Sequence, residues 1–110
     1  MTFGGVPETD FKITRGTLAK YRSSDHAERG FCSACGTPLT YRRIGGDRVS
    51  VTTGSADHPE LLAPMDQLGV ESRMPWTLKL AELPELRTEQ WLTRYDKTVV
   101  GSHQHPDREV

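Results

Sequence analysis

Apolar and polar residues alternate over short distances along the first eighty positions, and Gly, Pro and Asp interrupt the alternation every few residues. Phe11-Lys12-Ile13-Thr14 places Phe11 and Ile13 on one face. Arg15-Gly16 then turns the chain into Leu18-Ala19-Lys20-Tyr21-Arg22, so the pattern predicts a pair of strands. Leu39-Thr40-Tyr41-Arg42-Arg43-Ile44 and Arg48-Val49-Ser50-Val51-Thr52-Thr53 flank Gly45-Gly46-Asp47, whose glycines can take the positive φ of a tight turn. This predicts a β-hairpin.

Beyond Gly54 the pattern changes. Asp57 stands where it can cap a single helical turn through Glu60, Leu61 and Leu62, and Pro64 ends that turn. Trp76-Thr77-Leu78-Lys79-Leu80 alternates again, with Trp76, Leu78 and Leu80 on one face, and predicts a strand whose apolar face packs in the core. Trp91, Leu92 and Tyr95 follow at helical spacing behind Thr88, a candidate N-cap, and predict one short helix near residues 88 to 96. From Gly101 the chain is polar. The expected organisation is one domain over residues 1–100 and a polar tail over 101–110, without internal repeats.

The 110 residues suffice for one modest core and no second one. Fourteen basic and fifteen acidic side chains are interspersed, leaving a net charge of −1, which argues against nucleic acid or an anionic membrane as a partner. No apolar run approaches the roughly 20 residues of a membrane span, and no signal-peptide pattern opens the chain. A cytoplasmic location is the expectation.

The chain has two cysteines, Cys32 and Cys35, within Arg29-Gly30-Phe31-Cys32-Ser33-Ala34-Cys35-Gly36-Thr37-Pro38-Leu39. A Cys-x-x-Cys followed by Gly in a strand context reads as a knuckle that aims two thiolates at one zinc ion. Buried or oxidised thiols are the plainer alternative. A redox pair is a third reading, but that motif usually opens a helix, and Thr37-Pro38-Leu39 leads into a strand. His26, His58, His103 and His105 read as surface histidines; only His26 is near Cys32 in sequence. Asp57, Ser72 and Arg73 read as turn residues, with contact to a charged ligand as the sharper alternative.

Five segments in order, Phe11–Gly16, Tyr21–Ser24, Arg29–Leu39, Val51–Ser55 and Ser72–Trp76, together resemble the glutathione-dependent formaldehyde-activating enzyme family, which includes centromere protein V. The resemblance implies a mainly β fold of small antiparallel sheets, the zinc-ribbon-related β-tent, with one short C-terminal helix. It implies carbon–sulfur lyase chemistry of the S-(hydroxymethyl)glutathione synthase type, with zinc as cofactor and glutathione or a small thiol adduct as partner. It carries over Cys32 and Cys35 as structural zinc ligands. Family members place an earlier Cys-x-Cys opposite that pair and hold a catalytic zinc with a Cys-x-Cys-x-x-Cys, and neither motif occurs here. The expectation is therefore an N-terminally truncated member, or a start codon set too late, with no catalytic ligand and no aldehyde activity of its own. A non-catalytic zinc-binding or interaction module is the alternative, and apolar surface left by a missing layer would favour a homodimer.

Overall fold

The alternating segments of the first half pair with one another into a single sheet. The computed structural model describes residues 1–94 of the chain, and these fall into two compact units, one from Met1 to Met65 and the other beginning at Asp66.

The first unit is a five-stranded antiparallel sheet built from β1 (Phe3–Pro7), β2 (Leu18–Arg22), β3 (Ala27–Cys32), β4 (Pro38–Arg43) and β5 (Arg48–Thr52), in the order β1-β5-β4-β3-β2. The predicted hairpin is β4–β5, in register Thr40↔Val51, Tyr41↔Ser50 and Arg42↔Val49. Gly45 alone carries the positive φ of its turn, at 80°.

Because partners directly across a sheet share a face, the register sorts the side chains. Val49, Val51, Thr40, Arg42, Glu28, Gly30, Leu18 and Lys20 fall on one face, and Tyr21, Arg29, Tyr41 and Ser50 on the other. On the second face Arg29 stacks over Tyr41, 5.1 Å from the ring centre, and Phe3 lies 6.2 Å from the same ring. The first face is the core face, where Val49 is 2 % exposed; Ala27 and Thr52, at 4 % and 5 % exposed, fall by register on the second face, and no large side chain among the described residues is fully buried. Leu62 covers Gly4, and Leu18 and Thr40 meet over Gly30, at distances that leave no room for a Cβ at either glycine.

Phe11–Thr14 is not a strand. The period of two is there, but the segment uses Phe11 and Ile13 to line the core face and does not lengthen the sheet. The partner of β2 is β3, in register Leu18↔Cys32 through Arg22↔Glu28. Glu8, in a 3-10 turn over Glu8–Asp10, forms an ion pair with Arg42 on that face.

Residues Pro59–Leu62 form the predicted single turn, a 3-10 turn, but Asp57 does not cap it. His58 is the N-cap and makes no side-chain capping bond. Pro59 opens the turn, and with its φ preset and no N–H to satisfy it needs less from a cap. Ala63, before Pro64, is extended as a residue preceding proline should be.

The second unit corrects a further expectation. Pro75–Glu82 is a 3-10 stretch and not a strand, and Trp76 is 63 % exposed, with Leu78 and Leu80 also exposed. A strand needs a neighbouring backbone to satisfy its polar groups, and no other strand is present among the described residues of this unit. The helix α1 (Thr88–Arg94) is where the spacing predicts it. Its first i→i−4 bond runs from Trp91 N–H to the Arg87 carbonyl, and the Gln90 side chain accepts from Arg87 N–H at 2.8 Å. Arg87 is thus the N-cap in place of Thr88, held by half of a capping box. Tyr95 and the tail over 101–110, with His103 and His105, lie outside the described residues. No helix among the described residues is long and apolar enough to cross a membrane.

Candidate functional site

Strand β3 delivers Cys32 at its last residue, and the chain turns back into β4 within five residues. Two backbone bonds close this loop: Gly36 N–H donates to the Cys32 carbonyl at 2.7 Å and Cys32 N–H donates to the Thr37 carbonyl at 2.9 Å. Gly36 has φ +76°, and nothing lies within 4 Å of the position a Cβ would take. Its requirement is therefore conformational and not steric, since the left-handed region costs other residues roughly 1–2 kcal/mol. Gly36→Ala is expected to lower stability by about 1 kcal/mol, measured by urea unfolding, with Gly36→Asn costing less because Asn tolerates this region.

Both cysteines are half-buried thiols outside any disulfide. Cys35 Sγ lies 3.1 Å from Thr37 Oγ1, a hydrogen bond across the loop. The turn carries both thiols, and the set stops at two. No group of three or more His, Cys, Asp or Glu side chains suited to a metal ion occurs among the described residues. His26 precedes β3 while Cys32 ends it, so the strand holds them apart by roughly 20 Å at about 3.3 Å per residue. His58 is exposed and faces Glu60, with 3.4 Å between Nδ1 and Oε1. The described residues thus bring two thiols to one turn, and they do not fit a four-coordinate zinc centre, structural or catalytic.

A cleft of about 720 Å³ opens beside the loop. One wall is the segment from Phe11 to Leu18; Cys32, Ser33 and Ala34 form the rim; Val51, Thr52, Ser55, Ala56 and Asp57 continue the lining. Its size is that of a small-molecule site. Its charged lining side chains are Lys12, Arg15 and Asp57, among apolar positions that include Phe11, Ile13, Leu39 and Val51.

The floor is fixed by a polar cluster. Thr52 Oγ1 donates to the Pro38 carbonyl at 3.0 Å, ties to Ser55 Oγ, and Ser55 Oγ donates to the Thr52 carbonyl at 3.0 Å. Thr53 Oγ1 donates to the Leu62 carbonyl at 3.1 Å. These bonds lock the Thr53–Ser55 turn onto the end of β5 and so place Asp57.

The structure therefore brings Asp57 together with Cys32 in one cleft. Ser72 and Arg73 belong to the second unit, where Arg73 Nη2 donates to Gln67 Oε1 at 3.1 Å. Sequence reading missed the wall over residues 11–17, for which its own signal was present: Phe11 and Ile13 flanked by Lys12 and Arg15 are an amphipathic edge as much as a strand.

The geometry is that of a small antiparallel β domain with a paired-thiol turn at the rim of a ligand-sized cleft. The model of the glutathione-dependent formaldehyde-activating enzyme family matches residues 1–72, and the chain belongs to that family. No curated protein and no solved structure matches the chain.

Proposed function

We propose that the chain serves carbon–sulfur chemistry of the S-(hydroxymethyl)glutathione type, with the cleft beside Cys32 receiving the glutathione part of the adduct. In that reaction the thiol sulfur adds to the carbonyl carbon of formaldehyde, the thiol proton ends on the carbonyl oxygen, and one carbon–sulfur bond forms; the reverse breaks it. Nothing is oxidised or reduced.

The observation that carries this reading is the match between ligand charge and cleft charge within the segment the family model covers. Glutathione bears two carboxylates and one ammonium group. The cleft lining offers two cations, Lys12 and Arg15, and one carboxylate, Asp57, and charge-assisted bonds of this kind fix orientation as well as affinity. The apolar positions between them suit the methylene and peptide stem. In this reading the fold is the β-tent, the knuckle is its zinc-ribbon-like corner, and the protein works in the reducing cytoplasm, where paired thiols persist.

No catalytic step is assigned to the described residues, because they gather no three-ligand centre. The reading is tested by binding. Titrating isotope-labelled chain with S-methylglutathione, a stable thioether, should shift amide resonances of residues 11–18, 32–34 and 55–57. Lys12→Glu or Asp57→Lys should weaken the apparent affinity by about tenfold, the equivalent of about 1.4 kcal/mol. Shifts confined to other regions, or equal affinity for the ligand with both carboxylates esterified, would refute it.

A further inference from the structure

We infer that the sheet face opposite the core face binds single-stranded nucleic acid, with bases stacked on its aromatic rings and phosphates held by its arginines. The inference does not rest on the carbon–sulfur reading, so either can fail alone.

Charges that mix along the chain are sorted by the pleat. On the core face Lys20 pairs with Glu28 and Arg42 with Glu8. The second face carries Arg29, Arg43 and Arg48, and no Asp or Glu stands at any of its strand positions. Among the described residues none of these three arginines is in an ion pair, not even with Asp47 in the turn between Arg43 and Arg48. Arg48 donates to the Gly5 carbonyl at 3.0 Å, which leaves its charge uncancelled. Like charges gathered on one face of a sheet cost stability, and an anion laid across them relieves that cost. The net charge of −1 counts the whole chain and is blind to this separation.

The aromatic rings decide which anion fits. Tyr21, Arg29 and Tyr41 stand directly opposite one another on β2, β3 and β4. The Arg29 guanidinium lies over the Tyr41 ring, and Phe3 flanks that ring from β1. Tyr21 is 67 % exposed, and Arg29 beside it is exposed as well. Ala27 and Thr52, the buried residues of this face, stand at strand ends, the first of β3 and the last of β5, and leave the middle row open. An acidic peptide would engage the arginines and leave the rings idle, and a duplex hides the faces of its bases. A single strand offers both phosphates and base faces, which stack on aromatic rings and guanidinium planes. Five strands spaced at about 4.8 Å make a platform roughly 19 Å wide, and sheet platforms of this kind stack about two or three bases.

The test uses the full chain, reduced, with a short fluorescein-labelled oligothymidylate followed by anisotropy. Binding in the micromolar range at low salt is expected, with log affinity falling against log salt at a slope of about −2, because phosphate contacts on a single strand contribute roughly −0.7 each. Tyr21→Ala, at an exposed ring, should keep the far-ultraviolet circular dichroism of the parent and weaken binding about tenfold, whereas Tyr21→Phe should hold the affinity. Arg29→Glu should weaken binding further, and Lys79→Glu, the same charge change made in the second unit, should leave it unchanged. Amide shifts on titration should fall on β2, β3 and β4. Polyglutamate that competes as well as the oligonucleotide at equal charge would overturn the inference in favour of an acidic peptide. Equal affinity for duplex, unchanged affinity in Tyr21→Ala, or no binding at low salt would each overturn it as well.

Discussion

Val49→Asp is expected to leave the chain unfolded at room temperature. Val49 is the most deeply buried apolar residue of the core face, at the second position of β5, paired with Val6 on one side and Arg42 on the other. A carboxylate there loses its hydration, and the nearest cation in register, Arg42, is already engaged by Glu8. The cost of an uncompensated buried charge is on the order of 4 kcal/mol or more. A domain with so thin a core has a total stability toward the low end of about 5–15 kcal/mol. Val49→Ala, which removes two methyl groups and adds no charge, should cost only about 2 kcal/mol and stay folded. Circular dichroism and amide dispersion decide between these outcomes. A folded Val49→Asp protein would mean that water or a cation reaches this face more freely than its burial indicates.

The second large effect is expected at Gly30. Its neighbours across the sheet, Lys20 on β2 and Thr40 on β4, leave the strand interior crowded, and a Cβ at Gly30 would collide with Thr40 Oγ1 and the end of Leu18. Leu18 can turn its terminal methyl aside, but Thr40 is stiff about χ1. Gly30→Ala is therefore expected to destabilise by roughly 2 kcal/mol and Gly30→Val by about 3 kcal/mol, although both are better strand formers than glycine. Adding Thr40→Ala to Gly30→Ala should return about half of the loss, a coupling that a double-mutant cycle in urea measures directly. Additive effects would show that the strain lies in the backbone and not in this contact.

What could be read from the residues alone follows from the range of the interactions that decide each element. The β4–β5 hairpin was legible because its turn and its partner strand lie within a few residues of each other, with Gly45 at the one position where the backbone needs a positive φ. The helix α1 was legible for the same reason, and only its cap was misplaced: Gln90 reaching back to Arg87 N–H is a side-chain choice that Thr88 obscures.

The failures share a different cause. Phe11–Thr14 and Trp76–Leu80 both alternate, and alternation says which side chains point together but not whether a backbone partner exists. The first lies over the core face and the second winds into a 3-10 stretch. For the candidate site, the pair Cys32 and Cys35 was visible as a motif, and the structure puts both in the turn between β3 and β4. The cleft was not visible, because it is assembled from residues 11–18, 32–34 and 51–57, which only the sheet order brings together.

The two rims of the sheet explain why it stops growing at five strands. On the outer strand β2, Lys20 pairs with Glu28 at 3.7 Å, and the Arg22 guanidinium donates to the carbonyls of Ser24 at 3.4 Å and Asp25 at 3.1 Å. On the opposite rim β1 ends in Pro7, which has no N–H to offer an incoming strand. Cationic side chains on one margin and a proline on the other are the devices by which short sheets refuse end-on recruitment of further chains. Concentrated native protein should accordingly resist filament formation, and any fibrous aggregate would have to grow from molecules that have first lost this sheet.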